Sequence, residues 1–193
     1  MTTELTTLDA YLETTEEPDS GALFSDDNLY RYRLWRVEKS GSGTVAFLML
    51  NPSTADVVND DPTITRCRGF ARDWGYKRLE IINLFAWRSP HPKDLAKAYR
   101  PIKQGDLEGS VWDPVGPNNN QHILSVATAA DIVIAAWGAN GDKHGRNTEV
   151  LEMLWNYRLD KKVHYLALTK HKHPRHPLYL KKNLQPKQLP ISF

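Results

Sequence analysis

Apolar and polar positions change their spacing several times along the 193-residue chain, and the changes mark out its elements. Over residues 30–37, Tyr30, Tyr32, Leu34, Trp35 and Val37 mix with Arg31, Arg33 and Arg36 at a period near two, the pattern of a half-buried strand. It ends at Ser40-Gly41-Ser42-Gly43, whose composition predicts a hairpin turn. Residues 45–50 differ, forming a continuous apolar run that stops at Asn51-Pro52. A strand with no polar alternation needs cover on both faces, as at the centre of an α/β sheet. Residues 79–82, 132–136 and 163–168 repeat the arrangement of apolar run followed by polar loop.

Between these runs the spacing lengthens to that of a helix. Asp61-Pro62-Thr63 supplies a cap and a proline for the first helical position, and the predicted helix passes through Cys67, Phe70 and Trp74 before Gly75 stops it. Residues 118–128 read as a second helix. A third is predicted over residues 146–157, with Val150, Leu151, Leu154 and Trp155 on one apolar face. Strands alternating with helices predict parallel strands joined by right-handed crossovers, hence an α/β domain.

Residues 1–27 are polar and acidic and read as an N-terminal arm, leaving residues 28–193 as a single domain of ordinary size. A mean hydropathy of −0.54 and the short apolar runs argue against a membrane protein. The N-terminus lacks the basic flank and apolar stretch of a secretory signal, so a cytoplasmic monomer is expected. Cys67 is the sole cysteine, which excludes an internal disulfide and a thiolate zinc site. The net charge of +2 is unevenly spread: residues 1–27 hold eight acids and no Lys or Arg, whereas residues 161–193 hold eight Lys or Arg and no acid. A basic end carrying four of the seven histidines suits a phosphate-bearing partner such as DNA or a nucleotide; a solvated tail offsetting the acidic arm is the plainer alternative.

The candidate chemistry follows the apolar runs. Asn51-Pro52-Ser53-Thr54, Asn83-Leu84-Phe85, Trp137-Gly138-Ala139-Asn140 and His173-Pro174-Arg175-His176-Pro177 all fall after predicted strands, where parallel sheets bind ligands. Each motif also has a structural explanation: a turn cap, a loop bond, a core ring or a solvated imidazole. His171, His173 and His176 offer enough imidazoles for a metal, but neighbouring prolines stiffen the segment and no acid follows Asp160, so no metal is expected. Gly138, Gly141 and Gly145 match neither the dinucleotide fingerprint nor the P-loop, and no cofactor is expected.

Two family resemblances rest on these motifs. Leu50-Asn51-Pro52-Ser53-Thr54-Ala55-Asp56, Asp61-Pro62-Thr63, Asn83-Leu84-Phe85, Asp113-Pro114-Val115-Gly116-Pro117-Asn118 and His173 through Tyr179 resemble the bacterial and phage domain-of-unknown-function 1643 family over about residues 28–182. That resemblance implies no activity. The order strand, Asn-Pro, strand, Asn, strand, Trp-Gly, strand, His-Pro is similar to the uracil-DNA glycosylase superfamily. It implies a central four-stranded parallel sheet flanked by helices, here with an added N-terminal strand or hairpin. It also implies recognition, and hydrolysis at the N-glycosidic bond, of a modified pyrimidine in DNA.

Carried onto this chain, the glycosylase resemblance has Asn51 hold the hydrolytic water, Asn83 read the pyrimidine's Watson–Crick edge, and His173 face a base carbonyl. Asp56 and Asp61 are the nearest carboxylates, since an amide is no general base. Phe85, Ser53 and Trp137 complete the base-binding set, and Thr54, Arg175, His176, Lys170 and Lys172 face phosphate. The chain departs from that pattern in three places. Met49 replaces a glycine, Ser53 stands where the uracil-specific branch has a tyrosine that excludes C5 substituents, and Arg175-His176 alters the His-Pro-Ser-Pro motif. A non-catalytic nucleotide or nucleic-acid binding module on the same fold is the alternative.

Overall fold

A computed structural model describes residues 18–53, 57, 59–88 and 113–190. Among them the strands are β1 (Ser20–Phe24), β2 (Arg31–Val37), β3 (Thr44–Met49), β4 (Arg78–Asn83), β5 (Ile132–Ala135), β6 (Val163–Tyr165) and β7 (Lys187–Gln188). The helices are α1 (Pro62–Asp73), α2 (Asn119–Ala129) and α3 (Arg146–Asn156). The strands form one mixed sheet in the order β1-β2-β4-β3-β5-β6-β7.

The four apolar runs become its centre: β4, β3, β5 and β6 are adjacent and parallel. Successive side chains of β3 divide between the two faces. Val45, Phe47 and Met49 pack with Ile64, Cys67 and Phe70 of α1; Ala46 and Leu48 pack with Ile123 and Val126 of α2 and Val150 and Leu154 of α3. Full burial of a side chain such as Phe47 or Leu48 stabilises by about 1.5–3 kcal/mol, so residues apolar on both sides hold this position best. Helix α1 starts where Asp61 accepts a bond from the Ile64 amide at 2.8 Å, with Pro62 in the first turn. At the end of α2, the Lys162 ammonium donates to the carbonyls of Thr128 and Ala130 at 2.7 and 2.8 Å, a cation placed on orphan helix carbonyls.

The sheet has seven strands rather than four. Antiparallel β1 and β2 extend it beyond β4, and β7 pairs antiparallel with β6. The sheet therefore begins at Ser20, inside the segment expected to be an arm. No hydrophobic alternation announces β1, because it docks through Gly21: a Cβ there would lie 2.1 Å from the Trp35 indole. Nor do β2 and β3 form the hairpin that the Ser-Gly loop predicts, since β4 lies between them. The loop instead bonds the approach to β4, through Ser42 N–H to the Gly75 carbonyl and Arg78 N–H to the Gly43 carbonyl, both at 3.0 Å.

The arginines of β2 also depart from a solvated polar face. Arg31 and Arg36 are 2% and 3% exposed. The β1–β2 register shifts between Leu23 and Phe24, skipping Tyr32, and such a bulge re-aims the residues around it. Arg36 pairs with Asp60 at 2.7 Å, and Arg68 binds both Asp60 (2.9 Å) and Glu38 (2.6 Å), tying the start of α1 to β2.

Candidate functional site

The carboxyl edge of the parallel strands brings three loops together. The chain leaves β3 through Leu50, Asn51, Pro52 and Ser53; it leaves β5 through Trp137 into a tight turn over Gly138–Asn140; and it returns after β6 at His176. Backbone bonds lock these loops, with Ala136 N–H donating to the Leu48 carbonyl and Gly138 N–H to the Pro174 carbonyl, both at 2.8 Å. Gly138 has φ +76°, which a side-chain-bearing residue would adopt only with strain. Together they line a cleft of about 360 Å³, a volume suited to one heterocyclic ring and its attachments.

His176 is the imidazole of this cleft. Its Nδ1 accepts the Leu178 amide at 3.4 Å, which assigns the proton of the neutral ring to Nε2. Burial lowers its pKa from the ordinary value, against the opposing pull of the Asp61 carboxylate. Near pH 7 it is therefore a neutral ring with an N–H to donate.

Asn83, the last residue of β4, pairs in register with Met49. Alternation with Leu79 and Ile81 puts its side chain on the α1 face, beside Met49, which does line the cleft. Asn83 is 1% exposed, and neither its Oδ1 nor its Nδ2 has a hydrogen-bond partner among the described residues. A buried group left so costs about 1–3 kcal/mol. The backbone beneath it is held firmly. Asn119 donates to the carbonyls of Asn83 (3.0 Å) and Leu84 (3.1 Å), and Arg146 Nε donates to that of Leu84 at 2.9 Å, both side chains being fully buried. Trp137, on the cleft wall, likewise buries an unpartnered Nε1.

The expected site residues thus divide. Asn51, Ser53, Trp137 and His176 meet in the cleft. Asn83 lies beside it under Met49, and Phe85 packs into the core on the α2 side. His173 is not a lining residue; its Nε2 stands 3.7 Å from Asp142. Asp61 caps α1 while its charge reaches both His176 and Arg31. Lys170, Lys172 and Arg175 are exposed on the loop after β6, and Thr54 and Asp56 lie outside the described residues. Among the described residues no three His, Cys, Asp or Glu side chains group as a metal site.

The cleft's imidazole comes from the second His-Pro pair of the sequence, His176-Pro177, and not from the first, His173-Pro174. Arg31, whose guanidinium pKa burial pushes down to about 10, and the buried posts Asn119 and Arg146 carry no sequence pattern that marks them. Tyr179, on the turn Pro177–Tyr179, is 86% exposed, which its place in the motif does not announce.

The chain matches, over residues 31–178, the family described as Protein of unknown function (DUF1643). No curated protein and no solved structure matches it.

Proposed function

The chain therefore belongs to the DUF1643 family, and we propose that it recognises a pyrimidine base of DNA at the carboxyl-edge cleft and hydrolyses its N-glycosidic bond, on a glycosylase-like fold. The observation that carries this reading is Asn83, a buried amide whose donor and acceptor both lack partners. The Watson–Crick edge of a pyrimidine offers an N–H or amino donor beside an acceptor, and one side-chain amide matches such an edge with two bonds. Met49 must swing aside for the ring to reach it, a movement that suits an unbranched side chain.

In this reading the C1′–N1 bond breaks with its electron pair leaving on the base. His176 Nε2–H meets the carbonyl oxygen where that charge grows. A water oriented by Asn51 adds its oxygen to C1′, and the proton it sheds neutralises the departed base. Lys170, Lys172 and Arg175 would hold phosphates, and Tyr179 would stack where the base has left the helix.

One observation favours the second reading, a binding module without catalysis: no carboxylate lines the cleft among the described residues, and Asp61 is engaged as a helix cap. Oligonucleotides carrying uracil, a thymine mismatch or a 5-substituted pyrimidine separate the two. Alkali-labile abasic sites that vanish in Asn83→Ala support hydrolysis. Tight binding that needs Asn83 but leaves no abasic product supports the module, and binding indifferent to Asn83 overturns both.

A further inference from the structure

A second cavity, of about 500 Å³, shares no lining residue with the carboxyl-edge cleft. Its walls come from the turn after β1, the start of β2 and the beginning of α2. Three rings stack along it: Tyr30 on Tyr32 at 6.2 Å and 10°, and Tyr32 on His122 at 4.7 Å and 26°. Tyr32, in the middle, is 3% exposed, whereas the two end rings are only partly covered. Gly116 backs the Tyr30 ring, where a Cβ would lie 2.8 Å from it, so the partly covered His122 ring is the end from which the stack can be extended.

Carboxylates gather around these rings. Asp26 and Asp27 line the cavity, and the charge of Asp113 reaches both tyrosines. Asp27 Oδ1 accepts from the Ser25 hydroxyl and the Leu29 amide, which hold its pKa below the ordinary value, while the exposed Asp26 has no partner among the described residues. Among the described residues no Lys or Arg lines the cavity. The arginine whose charge reaches His122, Arg33, is engaged by Glu80 at 2.8 Å. His122 stays neutral near pH 7, its pKa lowered first by burial and then by Arg33. One ring of the wall, Phe24, already draws a cation, with the Arg88 guanidinium 4.7 Å from its centroid.

We propose that this cavity binds a flat organic cation of the amidinium or guanidinium class, its plane extending the Tyr30–Tyr32–His122 stack and its N–H groups meeting Asp26. Aromatic faces and carboxylates both favour such a cation, and the same carboxylates repel phosphate and carboxylate ligands. The inference is independent of the nucleobase reading, because none of its residues belongs to the carboxyl-edge cleft.

The test is a nuclear magnetic resonance titration of the full chain with benzamidinium, neutral benzamide, benzoate and uridine, following the ring signals of His122 and Tyr30. Benzamidinium alone should move them, and Asp26→Asn, an exposed change that leaves the fold intact, should weaken its binding by about fivefold. Equal shifts from benzamide or benzoate, shifts from uridine, an unchanged affinity in Asp26→Asn, or no shift with any probe would each overturn the proposal.

Discussion

Two histidines are held neutral by burial, His176 in the cleft and His122 in the aromatic stack, and both titrate below their ordinary value. The unfolded chain therefore takes up protons on them first as pH falls through about 6.5, so stability is greatest above that value and declines toward the lowered folded pKa values. Urea midpoints measured from pH 7.5 to 5 should fall, and His176→Asn, which keeps an acceptor for the Leu178 amide, should flatten part of the decline. Ser53 sets a second expectation within the proposed function. It is a small residue of the cleft, so Ser53→Tyr should weaken binding of 5-substituted pyrimidines about tenfold more than that of uracil, because misfit of a methyl-sized group is worth about 1–3 kcal/mol. Equal losses in a competition assay would mean that Ser53 does not face C5. At this scale the sequence was readable where residue type dictates placement: Ser53 and Trp137 follow apolar runs and must emerge at the sheet edge. It could not distinguish His173 from His176, because the loop's backbone bonds, not its composition, decide which ring turns inward.

Elements were legible to the extent that their stabilisation is local or symmetric. Residues 45–50 are apolar on both faces because α1 covers one and α2 and α3 the other, and Asp61-Pro62 starts α1 by a bond within its own first turn. Strands β1 and β7 left no comparable mark: β1 pairs with the next strand through a glycine that makes room for an indole, and β7 is two residues that return to β6 from beyond the turn Pro177–Tyr179. The Ser-Gly composition announced a hairpin that does not form, because composition carries nothing of β4, the strand that enters between β2 and β3. Helix α1 gives a test of how Asp61 serves two neighbours. Asp61→Ala should cost about 1 kcal/mol in urea unfolding through loss of the cap. Asp61→Asn, which retains a capping oxygen but no charge, should leave stability nearly unchanged while lowering the His176 titration midpoint, since the carboxylate that supports its protonation is gone.

Across the whole molecule, the exposed Lys170, Lys172 and Arg175 stand on the loop that brings His176 to the cleft, so the rim proposed for phosphate and the proposed base site share one loop. If each lysine neutralises one phosphate, replacing Lys170 and Lys172 by Gln should reduce the slope of log affinity against log salt by about 2 on duplex DNA. The loss should be the same for any base in the cleft; an unchanged slope would place the DNA path elsewhere. Sequence charge pointed to this end of the chain, but only the crossover topology sets it against the carboxyl edge rather than trailing it into solvent.

The outermost strands differ in how they resist association with other molecules. At one margin β7 is two residues long, both exposed, and one of them is lysine; a margin so short and charged offers little for a foreign strand to copy. At the other, β1 is five residues long, and among the described residues nothing pairs with its outer side. Immediately before it the chain carries five acids and no base in its first 17 residues. Mutual repulsion between these segments would keep two such margins apart, acting as a colloidal guard rather than as part of any site. Deleting residues 1–17 should therefore leave the unfolding midpoint nearly unchanged yet raise light scattering with protein concentration at low salt, even though losing five acids makes the net charge more positive, and equal scattering by both forms would assign that guard to some other feature.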